Sequence, residues 1–333
     1  MGGGQRPDNL PLILRLKLSV GSFLLRLLVR PDGTVRRRLL TFIDTKIPPN
    51  STAVDNGVNV SAADISVDPS RNLWFRLFAV PAARATEPLP LIIYFHGGGF
   101  AIMSPDSRAC DGLCRTLAAE LPAVVASVNY RLTPDHKYPC QYDDGFDALQ
   151  FIAERASEIL PANTDTSRCF LAGDSAGGNI AHHVALRASE NPGKLAVAGI
   201  VAVQPFFGGE ERTESELRLS KALLLTAEGT DLMWRMFLPA GADRDHPAAN
   251  VLGGREAAEQ MAALGRFPRS MVVVGGYDPL QDRQRKYAER LKECGKEVEL
   301  VEFPDAFHGF YSFPELPEFP RLVQHFRDFL HHQ

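Results

Sequence analysis

Apolar positions along this chain cluster into short, nearly uninterrupted runs, set apart by longer stretches of mixed character. "LWFRLFAV" (73–80) reads as a strand, with "ADISV" (63–67) as its hairpin partner across "DPSR". A new rhythm then begins. "LPLIIYF" (89–95), "AVVASVNY" (123–130), "CFLAG" (169–173), "LAVAGIVAV" (195–203), "SMVVVGG" (270–276) and "EVELVEF" (297–303) are β-rich, and most are apolar throughout. A strand covered on both faces must be so. Helix-length segments lie between them, near 106–120, 141–159, 176–190, 280–294 and 319–331. Strand alternating with helix predicts a mostly parallel central sheet with helices on both faces, the α/β class. Only residues 208–266 break the alternation. They are polar and helix-prone, then rich in Gly, Ala and Pro, with "LMWRMFL" (232–238) at their centre, and read as an insertion above the sheet.

The N-terminal run "LPLILRLKLSVGSFLLRLLVR" is apolar but interrupted by Arg15, Lys17 and Arg26. A bilayer span needs about 20 nearly uncharged residues, so no membrane span is expected. Its charges do not precede the apolar run as in a secretory signal. Arg6 breaks the myristoylation pattern that Gly2 opens. The sequons at Asn50–Thr52 and Asn59–Ser61 then carry no meaning, and a cytoplasmic protein, with the nucleus as a second site, is the expectation. Composition agrees with a globular fold: 333 residues, 45% hydrophobic and 23% charged. A net charge of -4 offers no basic patch for nucleic acid. The five cysteines, at 110, 114, 140, 169 and 294, suggest neither a disulfide framework nor a zinc site. No metal and no cofactor are expected.

Two glycine-rich segments carry chemistry. In "FLAGDSAGGN" (170–179) a strand ends at Gly173, Ser175 occupies the turn, and a helix follows at once. That is the setting of the nucleophile elbow, G-x-S-x-G. The turn is so sharp that side chains two positions either side of the serine would collide with backbone, and Gly173 and Gly177 remove them. The helix N-terminus and the Ala176 N–H then point where negative charge would develop. In "YFHGGGFAIMS" (94–104) three glycines follow an apolar strand, as in the H-G-G-G loop that supplies oxyanion-hole amides in lipases and esterases. His96 reads as structural, its ring holding that loop. A phosphate loop would need G-x-G-x-x-G or a following Lys-Ser/Thr.

A serine nucleophile needs a base and an acid to orient the base. "VVVGGYDPLQD" (272–282) puts Asp278 nearest a strand end and Asp282 one turn into a helix. Asp278 fits the role better, and Asp282 is second. In "DAFHGFY" (305–311), His308 follows the last strand. The order Ser175, Asp278, His308 is that of α/β-hydrolases, and a parallel sheet brings three strand-end residues to one edge. Asp305 is too close to His308 to support the ring separately. His136, His182, His183, His331 and His332 read as ordinary, with no partner at metal-site spacing.

Taken together, "HGGGF", "NYRLTPDHKYP…YDDGFDAL", "GDSAGGNIAHHVA", "QPFFGGEERTESE", "DPLQD" and "FHGF" resemble the plant carboxylesterase family, in the hormone-sensitive-lipase-like branch of α/β-hydrolases. The resemblance implies Ser175 as nucleophile, His308 as base and Asp278 as acid, with Gly98, Gly99 and Ala176 giving the oxyanion amides. It implies one α/β-hydrolase domain over 1–333, capped by residues of about 8–45 and about 208–266. "RPDGTVRRRLLTFIDTKIPPN" also resembles the gibberellin receptors, which share the fold and bind a hormone instead of hydrolysing an ester. Those keep the serine and aspartate but carry an apolar residue in place of the histidine, where this chain has His308. The related hydroxyisoflavanone dehydratases often place threonine at the nucleophile, where this chain has Ser175.

The expected function is therefore hydrolysis of a small, neutral carboxylic ester, with that ester as the only small-molecule partner. Phe100, Phe206 and Phe207 adjoin the motifs and are candidates to line the substrate pocket. Trp234 is another, although its spacing suits the apolar face of a cap helix better. Two alternatives stand beside it. One is a receptor-like binding protein, the only reading that calls for a protein partner. The other is a lyase or cyclase, because the same oxyanion hole would serve an enolate.

Overall fold

The computed structural model describes residues 10–49, 53–55, 57–81, 87–222 and 224–331; Gly2, Asn50–Thr52 and His332 lie outside them. Two helices, α1 (Leu12–Leu28) and α2 (Arg37–Ile43), open the chain. Strands β1 (Ala53–Asp55), β2 (Val58–Asp68) and β3 (Leu73–Ala79) follow, then β4 (Leu89–Phe95), α3 (Arg108–Glu120), β5 (Val124–Asn129), α4 (Cys140–Ile159), β6 (Thr164–Asp174), α5 (Ala176–Glu190) and β7 (Val197–Val203). The insertion carries α6 (Glu214–Arg218), α7 (Ala227–Phe237) and α8 (Arg255–Ala263). The chain ends with β8 (Arg269–Tyr277), α9 (Gln281–Glu293), β9 (Val298–Phe307) and α10 (Glu318–His331).

The strands form one sheet in the order β1-β2-β3-β5-β4-β6-β7-β8-β9. Pairing is antiparallel from β1 through β3 to β5 and parallel from β5 onward. All seven residues of β4 are buried, as its unbroken apolar run requires. β2 alternates instead: Val58, Val60 and Ala62 are buried and Asn59 and Ser61 exposed. One face of that antiparallel edge is wet, so its first half has no apolar run to reveal it.

Side chains on β8 divide the core. Met271 and Val273 join the main cluster with Phe326 and Phe329 of α10, while Val272 and Val274 join Tyr287 and Leu291 of α9. Alternate residues of a strand face opposite sides, so α9 and α10 cover opposite faces. The buried Arg76 on β3 is held by Asp64, Asp111 and the Ile47 carbonyl, which compensates a charge inside the sheet layer.

The order of strands locates the chemistry. β4 lies between β5 and β6. The chain leaving β4 crosses to β5 on one side, and the chain leaving β6 crosses to β7 on the other. The connections diverge at the carboxyl ends of β4 and β6, the switch point at which such sheets bind ligands. Both glycine-rich loops leave the sheet there.

The N-terminal segment and the insertion meet above this edge. Leu25, Val29, Val35 and Leu40 pack with Ile102 and Met103 after β4, and with Met233 and Met236 of α7. Leu14, Leu18 and Leu28 of α1 face inward, whereas Leu12, Ile13, Leu16, Val20 and Phe23 are exposed. Among the described residues no helix is long and apolar enough to cross a membrane.

Candidate active site

Ser175 sits between β6 and α5 with φ 51° and ψ -116°, a left-handed conformation that bulky residues avoid. Its neighbours explain the glycines. A β-carbon on Gly173 would lie 2.3 Å from the Gly177 carbonyl group, and one on Gly177 would lie 1.8 Å from the Phe95 carbonyl oxygen at the end of β4. The elbow is thus pressed against the strand from which the H-G-G-G loop departs. The Ser175 amide donates to the Val203 carbonyl at 2.9 Å, and its carbonyl accepts from Phe206 at 2.8 Å, fixing the turn to the end of β7.

Asp278 follows β8 directly and is fully buried. Its Oδ1 accepts from the Leu280 amide at 2.8 Å, and its Oδ2 from Gln284 Nε2 at 2.9 Å. The same Oδ2 stands 2.8 Å from His308 Nδ1, and His308 Nε2 stands 3.0 Å from Ser175 Oγ. A carboxylate can only accept, so the imidazole carries its proton on Nδ1 and presents the Nε2 lone pair to the serine hydroxyl. β9 runs on to Phe307, beyond the expected end at 303, so His308 comes straight off a strand and Asp305 is exposed on it. Asp282 lies elsewhere: its Oδ2 accepts from the Ser215 amide at 2.8 Å, at the start of α6.

The H-G-G-G loop is wound tightly. Gly98 and Gly99 have φ of 96° and 60°, and the Gly98 carbonyl accepts from Ala101 at 3.0 Å. A β-carbon on Gly99 would meet Met233 Sδ at 2.3 Å. Ala176 is the first residue of α5, where a helix leaves its amides without internal partners. His96 is buried, stacked on Tyr130 at 4.3 Å, with Nδ1 2.8 Å from the Gly97 carbonyl. Burial lowers its pKa to about 4, which suits a neutral ring that holds backbone.

Phe100, Phe206 and Trp234 come together. Phe206 stacks on Trp234 at 4.3 Å, and Phe100 lies 5.8 Å from Trp234. All three are at most 1% exposed, so they form a packed wall. Phe207 corrects the expectation. It joins a different cluster from Phe206, with its ring 4.5 Å from the Tyr287 ring and among Val272, Val274 and Met261.

Three polar residues that the motifs did not flag surround the site. Asp174 accepts from Tyr94 Oη at 2.7 Å and from the Gly97 amide at 3.0 Å, and also from Tyr311. Burial pushes its carboxyl up. Gln284 braces Asp278. Gln204, at the end of β7, reaches the backbone beside His308. Asp174 and Gln204 lie within the quoted motifs, but nothing in the residues themselves marked their roles. Among the described residues no group of three His, Cys, Asp or Glu could hold a metal ion.

Residues 92–312 match the model of a family described as alpha/beta hydrolase fold. The chain is 43% identical to the gibberellin receptor GID1C of Arabidopsis thaliana, covering 91% of this chain and 89% of the receptor. It is 36% identical to carboxylesterase 20 of the same plant, covering 84% and 86%. Among solved structures, the hyperthermophilic esterase of the archaeon Pyrobaculum calidifontis is similar at a TM-score of 0.75 and 28% identity, covering 96% of this chain and 97% of that one. The fold, the order of its strands and these likenesses agree: the chain belongs to the α/β-hydrolase fold family, on the carboxylesterase-like branch that includes plant carboxylesterases and gibberellin receptors.

Proposed function

We propose that the protein is a serine carboxylesterase acting on a small, neutral, partly apolar ester. The observation that carries this reading is the continuous path from Asp278 Oδ2 through His308 to Ser175 Oγ, at 2.8 and 3.0 Å. Ser175 Oγ attacks the ester carbonyl carbon while its proton passes to His308 Nε2, and Asp278 stabilises the imidazolium. The tetrahedral oxyanion takes hydrogen bonds from the amides of Gly98, Gly99 and Ala176, each such donor contributing about 3 to 4 kcal/mol. The imidazolium then protonates the departing alkoxide. Water, deprotonated by the same nitrogen, releases the acid from Ser175.

On this reading the described residues of about 10–45 and about 208–266 cap the site within one α/β-hydrolase domain. In support, Met233 packs on Gly99, and Leu224 reaches both Gly21 of α1 and Gly309 beside the imidazole. These apolar contacts favour an apolar acyl or alcohol group. The test is Ser175→Ala, expected to lower p-nitrophenyl ester turnover by up to about a millionfold. Unchanged turnover ends the reading.

The 43% identity to a protein named as a gibberellin receptor favours a second reading, a small-molecule binding protein with a protein partner. His308 divides the two. Tight binding of a small organic acid by purified protein that turns over no simple ester selects the receptor-like role.

A further inference from the structure

We propose that Gln204 is a positioning residue for His308, clamping the backbone on both sides of the imidazole; this rests on His308 being the general base. Gln204 follows β7 and is fully buried. Its Nε2 donates to the Phe307 carbonyl at 3.2 Å, and its Oε1 accepts from the Gly309 amide at 2.9 Å. Those are the two residues flanking His308. A carbonyl only accepts and an amide N–H only donates, so the partners dictate which end of the side chain faces which.

Two further features show a built arrangement. Gln204 has φ 46°, in the left-handed region, although it is neither glycine nor asparagine and precedes Pro205. Its own amide donates to the Val273 carbonyl at 2.9 Å, so the strained residue is tied to β8 while its side chain is tied to the end of β9. Gly275 of β8 makes room for it: a β-carbon there would lie 2.4 Å from Gln204 Nε2. Phe307 is paired with Tyr277 at the end of β9, and Gln204 extends that hold past the last paired residue to Gly309, setting the height of His308 above the sheet. Asp278 and Ser175 contact the ring, while Gln204 holds the backbone on either side of it.

The test uses the full chain with Gln204→Met, which removes both bonds, and Gln204→Glu, whose carboxylate keeps the Gly309 bond and repels the Phe307 carbonyl. Either is expected to lower kcat by about a hundredfold with KM for a small ester unchanged. In a His308→Ala background the same change is expected to alter the residual rate by no more than about twofold, because its effect runs through the ring. The proton on His308 Nδ1 gives a reading independent of turnover: its downfield NMR resonance is expected in the wild type and lost in Gln204→Met. Folded variants with wild-type kcat overturn the proposal, as does an equal loss with and without His308. Absent turnover in the wild type would instead refute the esterase reading; a resonance that persists in Gln204→Met then refutes the clamp. If Gln204→Met fails to fold, Gln204→Glu, with its volume retained, decides by the same measurements.

Discussion

Gly97 and Asp174 are locked back to back. The glycine amide donates to Oδ1 of the carboxylate at 3.0 Å, and a β-carbon on Gly97 would stand 2.2 Å from Oδ2. Asp174 immediately precedes Ser175, and Gly97 immediately precedes Gly98. The loop proposed to bind the oxyanion and the turn bearing the proposed nucleophile are therefore held together. Tyr311, three residues past His308, also donates to this carboxylate.

Asp174→Ala should strand the Tyr94 and Tyr311 hydroxyls and the Gly97 amide in the interior. A loss of at least about 3 kcal/mol is expected in urea unfolding, from about 1 to 3 kcal/mol per unsatisfied group. Asp174→Asn keeps an acceptor for Tyr94 and Gly97, which share Oδ1, and should cost clearly less. Equal losses would mean that the charge matters and the hydrogen bonds do not.

Gly97→Ala should push the loop off the elbow and lower kcat by about a hundredfold while leaving circular dichroism unchanged. Gly99→Ala meets the end of a flexible methionine instead. Adding Met233→Ala should restore part of its activity, and no such rescue should occur with Gly97→Ala. Rates of the two single and two double variants on one ester decide this.

Asp278→Asn should lower kcat by about ten-thousandfold, because the amide no longer selects the proton on Nδ1. Asp282→Asn should change kcat by less than about tenfold and instead loosen α6, which Asp282 holds through Ser215. A reversal of the two would move the acid to Asp282.

Stability should fall as the solution is acidified below neutral. Burial lowers the pKa of His96 to about 4 and of His182 to about 3. In the unfolded chain both titrate near 6.5. Between those values the unfolded state binds protons that the folded state refuses, so folding weakens as pH drops through the window from about 6.5 to about 4. Each imidazole contributes a loss of about 2 kcal/mol between pH 7 and pH 5. Urea midpoints across that range measure it; a flat profile would show that neither ring is held neutral.

The sheet was legible because strands covered on both faces must be apolar along their length, as β4 and β8 are. β2 was only half legible, since its outer residues Asn59 and Ser61 face water. The end of β9 was hidden by Pro304 and Asp305, which read as a break. The strand continues because Gly276 admits the Pro304 carbonyl, where a β-carbon would come within 2.1 Å. Ser175, Asp278 and His308 each stand at the end of a recognisable run, so their meeting was foreseeable. The partners of Gln204 and Asp174 were not, because they are backbone amides, backbone carbonyls and tyrosine hydroxyls that belong to no spacing pattern. Phe207 was misplaced for a simpler reason: adjacency in sequence to Phe206 says nothing about which side of the backbone a ring takes.

Helix α1 carries apolar residues on its outer face as well as its inner one, yet part of its seat is made late. Leu224 donates its amide to Ser22 at 3.0 Å, and Lys17 pairs with Glu315 across 298 positions. During synthesis at about 5 to 20 residues per second, this greasy segment is made tens of seconds or less before Glu315. Helix α1 is therefore made well before its landing site is complete, and a ribosome stalled before residue 315 would release it with that site unfinished.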